Sequence, residues 1–177
     1  KIPLSAPWAI FKDSNTNDII APIIMTCGGK GAGKSTFSRY LSNRLLSSCK
    51  CPVAYIETDV GQSEFTPPGL VSLTILSPTL GTSFLLGPAH THMAHEPILS
   101  YFVGDVTPKT KPLMYMKMVR RLIDEYAKIA PDYVIFGGMP LIVNTHGWVA
   151  GMGLDLINMI ASYCQHYVQG NKFHIIK

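Results

Sequence analysis

No apolar run in this chain approaches the length of about 18 residues that a membrane-crossing helix needs; Gly, Pro or a charged residue interrupts each one early. Charge is scarce as well: Asp, Glu, Lys and Arg make up 15% of the residues, against about 25% in an average globular protein. That composition excludes the charge-rich disordered class. The basic residues form no run like the tails that grip nucleic acid, so the net charge of +4 is compatible with a polyanionic partner without pointing to one. Four cysteines (Cys27, Cys49, Cys51 and Cys164) make neither a CxxC pair nor the spacing of a disulfide framework. A reduced, intracellular protein is the expectation.

What is present suits one packed domain. At 177 residues and 47% hydrophobic content, the chain can bury a sizeable core, and its 13 prolines and 15 glycines are scattered instead of marking a linker. The sequence opens at Lys1 and closes on Ile175-Ile176-Lys177, inside what reads as a strand, so residues 1–177 are expected to be the core of a longer protein.

Apolar residues from Pro22 to Cys27 run into glycines and are followed by a helical pattern over Ser35–Leu46, with Phe37, Tyr40, Leu41 and Leu45 on one face. A second apolar run, Pro52–Ile56, ends at Glu57 and Asp59, giving a βαβ unit and a parallel pair of strands. The β-branched and aromatic segments Val71–Leu76 and Ser83–Leu86, with a Pro-Thr-Leu-Gly link between them, predict an inserted hairpin. Lys111–Ile129 predicts a long amphipathic helix with Met114, Met118, Leu122 and Tyr126 inward, the methionines serving as packing. Then come a strand at Leu141–Val143, a helix over Leu154–Tyr163, and short strands at His166–Val168 and Phe173–Ile176. This order predicts an α/β fold of the P-loop NTPase type, with a doubly wound, mostly parallel sheet whose ligands sit beyond the carboxyl ends of the strands.

Gly28-Gly29-Lys30-Gly31-Ala32-Gly33-Lys34-Ser35 satisfies GxxxxGK[ST], with a strand before it and a helix after it. The glycines allow backbone N–H groups to turn inward around phosphate oxygens, and the start of the helix adds its positive dipole end. Residues Gly28 to Thr36 are therefore the expected nucleotide-binding segment, with Lys34 at the β- and γ-phosphates and Ser35 offering its hydroxyl to Mg²⁺. The metal also calls for a carboxylate. Glu57 and Asp59 share a strand face by period two, and Asp59, nearer the ligand edge, is preferred for the metal and as base for an acceptor hydroxyl. Gln62 is an acceptor contact or a loop stabiliser with equal weight.

Other patterns carry less. Asp59-Val60-Gly61-Gln62 has one residue too few between Asp and Gly for a GTPase switch. Asn171-Lys172-Phe173-His174 ends in His where guanine recognition needs a carboxylate. His90, His92 and His95 lack accompanying thiolates or carboxylates and read as surface loop, as Cys49-Lys50-Cys51 reads as a connection.

Three ordered segments, Gly33–Leu41, Asp59–Gly69 and Pro140–Trp148 with Gly151–Leu156 after it, closely resemble the eukaryotic polynucleotide 5′-hydroxyl kinase family, nearest its nucleolar branch acting on pre-ribosomal RNA. The resemblance implies ATP and Mg²⁺ as cofactors. It gives the DxxQ element at Asp59 and Gln62 the metal-linked and acceptor roles, and makes Thr145, Gly147 and Trp148 a TxGW clasp on the terminal nucleotide of the acceptor. A hydroxyl, backbone N–H groups and an indole suit that task, although residues alone would favour Trp148 as a core aromatic. It further implies RNA 5′-hydroxyl ends as substrate, an endoribonuclease partner and a nucleolar, hence nuclear, location. This sequence has no arginine after Arg121, whereas the family closes an arginine-bearing lid beyond the clasp helix, so a core of this extent is expected to turn over poorly. A small-molecule kinase and a nucleotide-dependent scaffold are the competing readings.

Overall fold

The structure, a computed structural model, describes residues 21–49, 51–77, 95–136, 138–167 and 173–177. Six strands form one sheet: β1 (Ile23–Thr26), β2 (Val53–Glu57), β3 (Leu70–Leu76), β4 (Leu99–Phe102), β5 (Leu141–Asn144) and β6 (Phe173–Ile176). Their order across the sheet is β4-β3-β2-β5-β1-β6. β2, β5, β1 and β6 run parallel, while β3 is antiparallel to both β2 and β4. The helices are α1 (Lys34–Cys49), α2 (Pro112–Ile129), running on into a 3₁₀ segment Ala130–Phe136, and α3 (Met152–His166).

β1, β2 and β5 are buried along their whole length, which is why they read as continuous apolar runs. Side-chain alternation sends their residues to two cores. Ile24, Val53, Tyr55 and Ile142 pack with Leu41 and Leu45 of α1 on one face. Ile23, Met25, Ala54, Ile56, Leu141 and Val143 point the other way, into a larger core closed by α2 and α3. Each fully buried Leu, Ile or Val contributes about 1.5–3 kcal/mol relative to exposure, so these strands anchor the domain.

Several expectations need correction. β1 and β2 are parallel but not neighbours, since β5 inserts between them and pairs with both; sequence proximity does not decide strand order. β3 belongs to the sheet itself, and the partner it holds on its outer side is β4, a strand that the sequence pattern does not announce. The expected partner Ser83–Leu86 lies outside the described residues, as do His90, His92, Lys50, Val168, Asn171 and Lys172. His166 ends α3 and is not in a strand. His95 is buried at 5% exposure, edge-on to Phe65, and is not surface loop. On α2 the inward stripe is Tyr115, Met116, Val119, Leu122, Ile123 and Tyr126, and Met114 faces outward. Tyr115 and Tyr126 donate their hydroxyls to Thr58 O and Met139 O, so Tyr115 takes the inward position at the start of the helix in place of Met114, while Leu122 and Tyr126 turn inward as expected.

Candidate active site

The register aligns Thr26, Asn144 and Glu57, the last residues of β1, β5 and β2, side by side at one edge of the sheet. Three loops leave this edge: the glycine-rich loop after Thr26, the Thr58–Gln62 turn after Glu57, and Thr145–Trp148 after Asn144. All the site residues expected from the sequence lie on them or at the start of α1.

In the first loop, Gly28, Gly31 and Gly33 have φ of 147°, 79° and 86°, the region that glycine tolerates. A Cβ on Gly28 would also press to 3.3 Å on that of Ala32. Ala32 N donates to Gly29 O and Phe37 N to Gly33 O, tightening the loop and opening α1. No acidic side chain lies in the first turn of α1, so its positive end is left for an anion. Lys34 is half-buried, and its Nζ donates to Gly29 O at 3.2 Å, folded over the loop. Lys30 and Thr36 are exposed and Ser35 half-buried.

The Asp59 turn closes on itself. Asp59 Oδ1 accepts from Gly61 N at 3.0 Å and Gln62 N at 3.3 Å, while Oδ2 accepts no hydrogen bond among the described residues. The Gln62 side chain is exposed. Glu57 does a different job from Asp59. It is fully buried, and its carboxyl accepts from Asp59 N (2.8 Å), Glu64 N (3.3 Å) and Asn144 Nδ2 (3.0 and 3.1 Å). Burial nevertheless pushes Glu57 up to about 8, against those donors. Asn144 Oδ1 in turn accepts from Thr26 Oγ1, Asn144 O from Thr58 Oγ1, and Thr58 O from Tyr115 OH. Glu64 adds an ion pair with Arg39 of α1, at 2.6 Å. One buried polar network thus ties the bases of the three loops together.

On the third loop, the Thr145 hydroxyl is fully buried and donates to Thr26 O at 2.7 Å. It holds its loop to β1, and in this structure it does not face outward as an acceptor contact would. Gly147 lies against the glycine-rich loop: a Cβ there would stand 2.9 Å from Lys30 N, so only glycine permits this approach. Trp148, half-buried, lies on Gly153 of α3, where a Cβ would meet the indole at 2.4 Å, and Lys109 Nζ sits 4.7 Å from its ring centroid. Trp148 is therefore packed on α3 as a core aromatic would be, with part of its surface left accessible.

The donors fit the implied cofactors. A hydroxyl (Ser35) and a carboxylate oxygen (Asp59) are the hard oxygen ligands that suit Mg²⁺ alongside phosphates. Among the described residues no cluster of three or more His, Cys, Asp or Glu forms an all-protein metal site. Sequence reasoning missed the Glu57–Asn144 pairing, Tyr115, His146 and Lys109. Glu57 was visible only as a rival carboxylate, and the others depend on which strands and helices meet.

Comparison with known proteins agrees with this geometry. Residues 28–168 match the P-loop of the mRNA cleavage and polyadenylation factor CLP1. The chain is 42% identical over 154 residues to the polynucleotide 5′-hydroxyl-kinase nol9 of Dictyostelium discoideum, covering 87% of this chain and 21% of that protein. It is 36% identical over 170 residues to grc3 of Schizosaccharomyces pombe (89% and 22%) and 39% identical over 157 residues to human NOL9 (86% and 20%), both also named polynucleotide 5′-hydroxyl-kinases. The chain thus spans about a fifth of the length of these three relatives. Among solved structures, Clp1p in its complex with Pcf11p superposes with a TM-score of 0.62 at 21% identity, covering 89% of this chain and 37% of that one. A second Clp1p structure, described with an extended Pcf11p interface, gives 0.66 at 18% identity, covering 96% and 46%. Residues 28–168, which carry the glycine-rich loop, the carboxylate turn and the Thr-His-Gly-Trp loop at one sheet edge, match that family's model, and the chain belongs to the CLP1 P-loop family.

Proposed function

We propose that the protein carrying this chain is an ATP- and Mg²⁺-dependent kinase that transfers the γ-phosphoryl group to the 5′-hydroxyl end of RNA. The observation that supports it most is the joining of the phosphate loop, the Asp59 turn and the Trp148 loop by one buried network, which holds donor and acceptor sides in a common frame.

In this reading the backbone N–H groups of Gly28–Gly33 and the start of α1 cradle the phosphates, with Lys30 and Thr36 at the rim, and Lys34 swings from Gly29 O to the β- and γ-phosphates. Ser35 and Asp59 hold Mg²⁺, which neutralises charge on the phosphate oxygens when bound. Asp59 Oδ2 takes the proton of the 5′-hydroxyl as its oxygen attacks the γ-phosphorus and ADP leaves, while Oδ1 stays fixed by Gly61 and Gln62. Gln62 extends an exposed amide toward the acceptor. Trp148 offers the terminal base a stacking face, Gly147 exposes its backbone, and Thr145 keeps the loop on β1. In this reading, following the family resemblance, the reaction belongs to pre-ribosomal RNA spacer processing in the nucleolus, beside an endoribonuclease that leaves 5′-hydroxyl ends.

The test uses the full-length protein with γ-labelled ATP, Mg²⁺ and a 5′-hydroxyl RNA oligonucleotide. Label is expected on the RNA with wild type and reduced by roughly a hundredfold or more with Asp59→Asn. Absence of transfer by a wild type that binds ATP would reject the kinase reading and favour a scaffold.

A further inference from the structure

The Thr145–Trp148 loop contains one residue that neither the phosphate side nor the stacking face uses. His146 is buried at 3% exposure, yet neither ring nitrogen makes a hydrogen bond. The Trp148 backbone approaches the ring as a hydrogen-bonding neighbour but falls short of full bonding geometry at either nitrogen. A buried imidazole left unpaired costs about 1–3 kcal/mol per unsatisfied group, and such groups in a folded protein call for a cause.

The surroundings narrow that cause. The ring stands between Tyr115 (centroids 6.1 Å apart) and Trp148 (6.4 Å), so aromatic walls confine it. Its loop neighbour Gly147 abuts Lys30 of the glycine-rich loop, and the charges of Asp59 and Lys34 both reach the ring. Burial lowers its proton affinity, so the ring is neutral and carries one donor and one acceptor nitrogen. A phosphate oxygen can only accept. A hydroxyl both donates and accepts, and so complements a neutral imidazole.

We infer that His146 is a positioning residue of the acceptor site, one of whose ring nitrogens pairs with a sugar hydroxyl of the acceptor's terminal nucleotide. The inference rests on the kinase reading above. The unpaired ring destabilises the empty fold, and pairing one nitrogen when the acceptor arrives returns part of that cost as binding energy. His146 thereby orients the terminal sugar against Asp59 without entering the transfer itself.

The experiment compares wild type, His146→Phe and His146→Gln in the full-length protein, with 5′-hydroxyl RNA and DNA oligonucleotides of one sequence, alongside thermal unfolding. His146→Phe removes both nitrogens and keeps a flat apolar ring; the expected result is a Tm equal to or above wild type, an unchanged KM for ATP, and kcat/KM for the acceptor lowered roughly tenfold or more. His146→Gln keeps one donor and one acceptor and is expected to recover most of that loss. A loss on RNA alone assigns the contact to the 2′-hydroxyl, and an equal loss on both acceptors assigns it to the 5′-hydroxyl. Wild-type acceptor kinetics in a folded Phe variant, or a loss confined to the ATP KM, would overturn the inference; His146→Leu gives the same decision if the larger ring does not fold. An inactive wild type would instead reject the kinase reading beneath it.

Discussion

The glycine-rich loop and the Asp59 and Trp148 loops beside it at the sheet edge are built by different means. The first is held by short-range bonds, such as Ala32 N to Gly29 O, Phe37 N to Gly33 O and Lys34 Nζ to Gly29 O, and by glycine conformations written into consecutive residues. The second is held from beneath by bonds between residues up to 119 positions apart, as between Thr145 and Thr26, meeting at buried Glu57 and Asn144. A local loop can lose one side chain and keep its shape. A network cannot lose a member without leaving another buried group unpaired.

That contrast predicts distinct failures. On the phosphate side, Lys34→Ala is expected to lower kcat of the full-length enzyme roughly a thousandfold while Tm stays nearly constant, because only the ammonium is lost; steady-state kinetics beside calorimetry checks this. A large fall in Tm would show that the loop is not the self-contained unit described.

On the network side, Asn144→Ala removes the amide from Glu57 and an acceptor from Thr26. Stability should fall by about 2–4 kcal/mol, seen as a lower urea midpoint, with activity falling in the folded protein too as the Asp59 turn loosens. Lost stability with wild-type kcat would confine the network to folding.

The last expected effect is pH dependence, a shallow slope at any one pH. Glu57 is raised by burial from 4.5 to about 8, so the fold favours its protonated form. That contribution is fully present below pH 4.5 and is lost as pH rises toward and through about 8, because there the unfolded carboxyl has released its proton while the folded one still holds it. Metal-free protein should lose up to about 1.4 kcal/mol of stability per pH unit from this group across that window, and Glu57→Gln should flatten the slope. An identical slope in the two proteins would show that the carboxyl is ionised in the fold throughout.

Much of the site is legible in the amino-acid sequence alone. GxxxxGK[ST] carries its own geometry, and position along the chain is enough to prefer Asp59 to Glu57; the structure places Glu57 in a wholly buried role and leaves Asp59 half-exposed at the edge. Thr145 shows the limit. Its residue type suits contact with an acceptor, yet pairing β5 beside β1 turns its hydroxyl onto Thr26 O. Met114 and His95 depart from expectation for a similar reason: periodicity identifies a face, but packing partners decide which residue turns inward.

By itself, then, the sequence determined the strand, glycine-rich loop and helix at the start of the fold, the mostly parallel α/β class and the position of the Asp59 turn, since all three depend on neighbouring residues and their backbone preferences. Only the tertiary structure decided that β5 separates β1 from β2, that β4 is the outer partner of β3, and that Glu57, Asn144 and His146 are buried where they are. Strand order and the pairing of buried polar groups are set by which distant surfaces satisfy one another, a quantity that no local stretch of sequence contains.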